Sequence, residues 1–300
     1  MDILIQEVGM RDGLQQERAI APTDTKILWI KKLIAAGVRR IQIGSFVHPT
    51  KMPQMADTDE LFKFFNRPGE KPPEVELSGL ALNARGVERA IAVGAERICV
   101  GVSASETHSR KNTGMSPAEA IKNIIELAGQ AARAGAKVQG AVQSAFGCGF
   151  EGRIDERRVI ELAGEYLAAG IKSISLADTS GHANPKSVER LFGAIRKLDD
   201  DAELVCHFHN TYGMGLANAK AAIDSGVTVF ETAFGGLGGC PFTKVAAGNL
   251  ATEDFALFAA EMGYSTGVSL EGLIDLAKAA SEFFGRELPG FVYKTGPIIK

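Results

Sequence analysis

The sequence predicts an α/β protein with a closed (β/α)8 barrel, because short apolar segments alternate with amphipathic ones through eight successive units of the 300-residue chain. A second observation supports the same fold. Four predicted helices end at a glycine directly before the next strand, at Gly37, Gly135, Gly170 and Gly226. Glycine at this position supplies the left-handed cap that ends a helix. An open doubly wound sheet is the alternative, but no G-x-G-x-x-G pattern follows the first strand.

The individual elements follow from local patterns. Strands are predicted where short apolar runs stand between turn residues, and helices where apolar residues recur at helical spacing. The predicted strands are residues 3–8, 38–43, 76–80, 97–102, 137–143, 172–176, 204–208 and 227–231. The predicted helices are residues 23–36, 58–65, 84–93, 116–134, 155–169, 184–198 and 214–224, with two more near 253–262 and 270–284. Ser116, Pro117 and Glu119 give the fourth helix a typical capped start.

We expect residues 1–300 to form one catalytic barrel domain with additional C-terminal helices, residues 265–300 being a helical extension. Composition limits the class of protein further. Apolar residues make up 45% of the chain and charged residues 23%, as in ordinary globular proteins with a large core. The net charge is −3 and no basic block is present, so we expect no nucleic-acid partner.

The chain also carries patterns that bear on its compartment. The first residues lack both a basic region and a long apolar run, and we find no transmembrane run. We therefore expect a cytoplasmic protein with no membrane partner. The cysteines show no C-x-x-C spacing and are interpreted as cytosolic thiols rather than a disulfide framework. They are Cys99, Cys148, Cys206 and Cys240.

The pair His207 and His209 gives the strongest indication of chemistry. Residues two apart on a strand point to the same face, so both imidazoles converge on one point. Such a pair forms half of a metal site or an acid–base pair, although two hydrogen-bonded core histidines would give the same pattern. Asp12 follows strand one and Asn249 follows strand eight, and chemistry in these barrels occurs at the C-terminal strand ends. This set of oxygen and nitrogen ligands, without a thiolate, favours octahedral Mg²⁺ or Mn²⁺ over a closed zinc site.

Each of these polar residues also has a simpler explanation that the sequence leaves open. Asp12 could pair with Arg11, and Asn249 could cap the helix that follows it. Asp178, at the end of strand six, could cap the next loop.

The glycine-rich segment 235–239 also has two interpretations. It could cradle a phosphate with backbone N–H groups, or it could be a mobile lid that brings Cys240 over the metal. We favour the lid because the G-K-[ST] ending of a phosphate loop is missing. An inert apolar thiol is the alternative for Cys240.

Several motifs occur in order along nearly the whole chain. They are EVGMRDGLQ at 7–15, SFVHP at 45–49, FGC at 146–148, HFHNTYG at 207–213, GLGGCP at 236–241 and GNLATED at 248–254. Together they resemble the 3-hydroxy-3-methylglutaryl-CoA lyase family of metal-dependent TIM barrels. The cysteine loop and the GNLATED segment are specific to the lyase branch, whereas the H-x-H and Arg-Asp pieces are shared with synthases and aldolases.

The resemblance implies a carbon–carbon lyase that cleaves 3-hydroxy-3-methylglutaryl-CoA, or a close relative, by retro-Claisen chemistry to acetyl-CoA and a keto acid such as acetoacetate. Leucine degradation is the implied pathway and a homodimer or higher homo-oligomer the implied assembly. The family's cofactor is a divalent cation, Mg²⁺ or Mn²⁺, with no organic cofactor, and CoA enters as part of the substrate. The implied metal ligands are Asp12, His207, His209 and Asn249.

The resemblance also implies catalytic roles. Arg11 would stabilise the enolate. His207 or Asp178 would act in removing the proton of the substrate hydroxyl, and Cys240 would donate a proton to the carbanion. Lys111 would approach a CoA phosphate. Further residues predicted to contact the substrate or support the metal ligands are Gln42, Asn83 and Gln143.

Four positions at the predicted barrel mouth depart from the family pattern. Gln42 stands where the family has Glu, Gln139 and Ala141 where it has Arg and Tyr, and Ser144 where the animal enzymes have Cys. Residues 139, 141 and 143 share one face of strand five. If that face is inward, we expect room for a bulkier 3-substituent than methyl. Two rival functions remain: a condensing synthase or aldolase of the same superfamily, and a non-catalytic metal-binding barrel.

Overall fold

The computed structural model describes residues 2–239 and 248–299. Eight parallel strands in it form a closed barrel in chain order, which confirms the predicted fold and excludes the open sheet. The barrel closes where β8 pairs with β1. The strands are β1 (Leu4–Glu7), β2 (Arg40–Ser45), β3 (Glu76–Leu80), β4 (Arg97–Ser103), β5 (Lys137–Gln143), β6 (Ser173–Asp178), β7 (Glu203–Phe208) and β8 (Val229–Thr232).

Helices surround the barrel and complete its βα units. They are α1 (Thr23–Ala35), α2 (Thr58–Phe65), α3 (Ala84–Ala92), α4 (Glu106–Thr113), α5 (Pro117–Arg133), α6 (Glu156–Ala168), α7 (Pro185–Leu198), α8 (Gly215–Asp224), α9 (Thr252–Glu261), α10 (Leu270–Phe284) and α11 (Val292–Thr295). Ser116 caps α5 as predicted, with its side chain and that of Glu119 each accepting the other's backbone N–H. No helix in the described ranges is long and apolar enough to cross a membrane.

The main apolar core lies between the strands and the helices. On β4, Ile98, Val100 and Val102 are buried between barrel and helix layer, whereas Cys99 lines the cavity inside the barrel. This alternation is the period of two of a strand. The four predicted cap glycines have φ between +83° and +90°, in the left-handed region. They turn the chain from each helix into the next strand.

A network of ion pairs closes the N-terminal end of the barrel. Arg40 contacts Glu76 at 3.2 Å and Glu203 at 3.1 Å. Arg97 contacts the same two carboxylates at 2.5 and 3.4 Å. These ion pairs lie at the end of the barrel opposite to the one at which Asp12 and His209 follow their strands.

The C-terminal segment packs on the barrel. The Ile3 amide donates to the Ser265 carbonyl at 2.8 Å, and α10 packs against α1 and α9. The treatment of residues 265–300 as a separate extension stays a prediction.

Candidate active site

A tight turn after β1 places Arg11 and Asp12 at the barrel mouth. Gly9–Gly13 form one turn of π-helix, in which the amides of residues 11, 12 and 13 all bond to the Val8 carbonyl at 3.0, 2.7 and 3.3 Å. Gly9 is required by close packing, since a Cβ there would lie 2.6 Å from Glu7 Oε1. Wide turns of this kind are frequent at functional sites.

The structure brings Asp12, His207 and His209 to one point. The Nε2 atoms of the two histidines are 3.1 Å apart, and Asp12 Oδ2 lies 3.7 Å from His207 Nε2 and 3.5 Å from His209 Nε2. All three side chains are buried, and their ligand atoms lie within 4.8 Å of one another. The arrangement is that of a group able to hold a metal ion.

Asn249 completes this set from the segment after β8. Its Nδ2 donates to Asp12 Oδ2 and to the Leu237 carbonyl, both at 2.9 Å. Its Oδ1 is buried and has no hydrogen-bond partner in the described part of the chain. Asn249 is not a helix cap, because α9 begins only at Thr252 after Ala251. A buried amide oxygen without a partner beside a carboxylate and two imidazoles fits a divalent cation.

The charges around Asp12 keep it ionised. Burial alone would raise the pKa of Asp12, but the Arg11 guanidinium and the hydrogen bond to His209 hold it well below its usual value. Burial also opposes protonation of His207, yet its hydrogen bond to Glu231 and the charge of Asp12 raise its pKa above the ordinary value. For His209 burial prevails and lowers the pKa, which favours the neutral imidazole.

Arg11 is held from two sides. Its Nη1 donates to Asp12 and its Nε to Gln42 Oε1. The Arg11–Asp12 pair considered from the sequence is therefore present alongside the convergence of the ligands. Gln42, where the family has a carboxylate, anchors Arg11 without adding a negative charge.

A cavity of about 370 Å³ opens above these groups. Gln139, Ala141 and Gln143 all line it, so their shared face of β5 points inward. His108 of α4 also lines it, with an Nδ1 that is buried and unpartnered among the described residues. The other side chains around it include Gln15, Gln16, Ser45, Met52, Leu82, Cys99, Asn112, Ser175, Thr179 and Glu231.

Four of the predicted site residues that the structure describes are not among those that line the cavity: Asn83, Lys111, Asp178 and Asn249. Asn83 is exposed and caps α3, its Oδ1 accepting from the Gly86 amide at 2.9 Å, and its role in the site stays a prediction. Lys111 is exposed, with Nζ 4.3 Å from the centre of the Phe150 ring.

Asp178 is buried at the end of β6. Ala177 and Thr179 on either side of it line the cavity, and its charge interacts with that of His207. Burial there raises the pKa of Asp178 to about 7, partly offset by the backbone N–H groups of Ala183 and His182. Cys240 lies in 240–247, outside the described residues, and its role stays a prediction.

Glu231 and His108 belong to the site but were not predicted from the sequence. Glu231 is a buried carboxylate within the short strand β8, and a charged residue inside an apolar strand was an available signal. His108 lies on the polar helix α4, and its sequence carried no comparable signal.

Comparisons with known proteins agree with this geometry. An (R)-citramalyl-CoA lyase of Chloroflexus aurantiacus is 36% identical over 302 residues, covering 99% of this chain and 95% of the relative. A hydroxymethylglutaryl-CoA lyase of Bacillus subtilis is 39% identical over 287 residues, covering 96% of this chain and 95% of the relative. A solved lyase of Acinetobacter baumannii, in complex with coenzyme A and 3-methylmalate, superposes with a TM-score of 0.92 at 39% identity, covering 99% of this chain and 95% of the other.

Fold, site and relatives together define a carbon–carbon lyase built on a TIM barrel. The sequence model of a known family, described as HMGL-like, matches residues 2–279 of this chain. The chain belongs to this family, and the resemblance found in its motifs is confirmed.

Proposed function

We propose that this protein is a divalent-metal-dependent lyase that cleaves a 3-hydroxyacyl-CoA thioester to acetyl-CoA and a keto acid. The observation that carries the proposal is the convergence of Asp12, His207, His209 and Asn249 beside Arg11. The named activities of the relatives support the substrate class.

The residues of the site fit the demands of this cleavage. Asp12, His207, His209 and Asn249 would hold the cation, which supplies Lewis-acid polarisation of substrate oxygens when bound. Arg11 is held in place by Gln42 and Asp12, and its charge faces the cavity where an enolate oxygen would form. A fixed positive group at that position stabilises charge that develops only during the reaction.

The reaction balances as follows. The substrate hydroxyl gives its proton to a base, for which His207 and Asp178 are the predicted candidates. Its oxygen becomes the carbonyl oxygen of the keto acid, and the C2–C3 bond breaks. The electron pair of that bond becomes the enolate of acetyl-CoA beside Arg11. The enolate then takes up one proton, for which Cys240 is the predicted donor.

The space beside Ala141 on β5 favours a second candidate substrate, a thioester with a 3-substituent larger than methyl. Ala141 lies on the cavity wall between Gln139 and Gln143. An aromatic ring at position 141 would fill part of this space, and unfilled volume there loses contacts to a small 3-methyl substrate.

The test is a panel assay on metal-free protein to which Mg²⁺ or Mn²⁺ is added back. We expect metal-dependent formation of acetyl-CoA with acetoacetate from the 3-hydroxy-3-methylglutaryl thioester, or with pyruvate from the citramalyl thioester. Asp12→Asn serves as the inactive control. Release of free CoA from acetyl-CoA and a keto acid would instead identify a condensing synthase. Full activity in excess chelator, after metal removal is verified, would overturn the metal dependence.

A further inference from the structure

Glu231 lies behind His207, on the side away from the other metal-ligand candidates. Its Oε2 is 2.8 Å from His207 Nδ1, and both side chains are buried. The other nitrogen, Nε2, faces His209 at 3.1 Å and Asp12 at 3.7 Å. One ring nitrogen of His207 thus meets a carboxylate, and the other meets the candidate metal position.

Glu231 is itself held by two amides. Its Oε1 accepts a hydrogen bond from Gln6 Nε2 at 2.9 Å and another from Gln139 Nε2 at 2.6 Å. The orientation of Gln6 is set in turn, because Arg40 Nη1 donates to Gln6 Oε1 at 3.5 Å. With Oε1 occupied by two donors, Oε2 is left for His207.

This arrangement determines where the imidazole hydrogen lies. An ionised carboxylate only accepts hydrogen bonds, so His207 Nδ1 must carry a hydrogen to bind Glu231. The lone pair of the neutral ring is then on Nε2, where Asp12 and His209 converge. A metal ligand needs that lone pair, and a partner on the opposite nitrogen both orients the ring and increases its basicity.

We propose that Glu231 is a positioning residue of the metal centre, which selects the Nδ1–H form of His207 and directs its Nε2 lone pair at the cation. The inference rests on the proposed function, since the cation is part of it. Gln6 and Gln139 hold Glu231 in register, and Arg40 connects this chain of hydrogen bonds to the ion pairs at the closed end of the barrel.

The substitution Glu231→Gln gives a directional test. The Gln6 and Gln139 donors would bind the carbonyl oxygen of the new amide, which leaves its NH₂ facing His207. That NH₂ donates to Nδ1, so the imidazole hydrogen moves to Nε2 and blocks the ligand position. Glu231→Asp keeps the charge but shortens the side chain, and is expected to have an intermediate effect.

The first measurement is Mn²⁺ affinity, by titration of metal-free wild-type protein and variants. We expect Glu231→Gln to bind Mn²⁺ about 10- to 100-fold more weakly, the usual effect of losing such a partner. Glu156→Gln is the matched control, because it makes the same carboxylate-to-amide change in the exposed ion pair of Glu156 with Arg190 at 2.7 Å. Its Mn²⁺ affinity should equal that of wild type.

The second measurement is the His207 tautomer, by imidazole NMR shifts of the metal-free protein at pH 9. Wild type should show the Nδ1–H form and Glu231→Gln the Nε2–H form. If wild type binds no Mn²⁺, the proposed function fails. If wild type binds Mn²⁺ and Glu231→Gln binds it equally well with an unchanged tautomer, this inference alone fails. Should Glu231→Gln not fold, wild-type Mn²⁺ affinity in Glu231→Asp, whose carboxylate is drawn back from His207, would overturn it.

Discussion

The Thr252 hydroxyl donates a 2.6 Å hydrogen bond to Glu7 Oε2 and so joins the start of α9 to the end of β1. The other oxygen of Glu7 accepts from the amides of Gly9 at 2.6 Å and Phe234 at 3.1 Å. One buried carboxylate therefore fixes both the turn that carries Asp12 and the segment after β8. Burial raises the pKa of Glu7 to about 7 despite these hydrogen bonds.

The buried carboxyl group of Glu253 leads us to predict that the stability of the protein depends on pH. It is buried beside this cluster, its Oε2 accepts from the Gly235 amide at 3.0 Å, and burial raises its pKa to about 8. In the unfolded chain it titrates near 4.5. Between these values the folded state holds a proton that the unfolded state has lost, so rising pH destabilises the fold.

We expect the unfolding free energy from urea titrations to fall as pH rises from about 4.5 to 8 and then to level, by an amount on the order of several kcal/mol. Glu253→Gln should reduce this slope, because the amide carries no charge at any pH, while the contributions of Glu7 and Asp178 remain. Identical slopes for wild type and variant would contradict the prediction.

Two asparagines that follow strands give a matched pair for the metal site. Asn249→Ala should weaken Mn²⁺ binding at least tenfold, since it removes the unpartnered Oδ1. Asn83→Ala should leave Mn²⁺ affinity unchanged but lower the unfolding free energy by about 1 kcal/mol, the usual effect of losing a helix cap. Wild-type Mn²⁺ affinity in Asn249→Ala would remove this residue from the ligand set.

Substrate preference is expected to depend on Ala141 and Gln42. We predict that wild type favours a thioester with a larger 3-substituent over the 3-hydroxy-3-methylglutaryl thioester in kcat/KM. The kcat/KM of the double variant Ala141→Tyr, Gln42→Glu for the 3-hydroxy-3-methylglutaryl thioester should rise about tenfold, within the range that small changes in pocket volume produce. A tenfold wild-type preference for the 3-hydroxy-3-methylglutaryl thioester, or an unchanged kcat/KM in the double variant, would show this prediction of substrate preference to be wrong.

Cys240 is predicted to act as a functional thiol. Cys240→Ala should lower kcat about 10²- to 10⁴-fold, the range for loss of a general acid. The other three cysteines are buried, so alkylation of the native protein would report mainly on Cys240. Peptide mapping identifies the labelled site, and substrate should slow the labelling. Wild-type kcat in Cys240→Ala would exclude the proton-donor role.

Local signals predicted most of the barrel. β3, β5, α2 and α10 have the predicted bounds, because turn residues or caps flank each of them. Helix α4 was missed because its eight residues offer no apolar face, and its start depends on the Ser105 cap after β4. The π-helical turn at Gly9–Gly13 was also missed, since its packing against Phe234 is not visible in local sequence.

The site was predicted less completely, because some of its contacts join residues that are far apart in the sequence. The H-x-H pair follows from strand period alone, whereas the hydrogen bonds of Glu231 join it to Gln6 and Gln139, 225 and 92 residues away. β6 extends to Asp178, two residues beyond its predicted end.

The candidate ligands come from the two ends of the barrel sequence. Asp12 follows β1, His207 lies on β7, His209 directly follows β7, and Asn249 follows β8. Strand β8 pairs with both β7 and β1. Asp12 and Asn249 are 237 residues apart in the chain and meet across the seam where the first and last strands join. A cation held there would act as a cross-link that only the folded chain can form. The free metal concentration would therefore determine the melting temperature of the protein as well as its turnover rate.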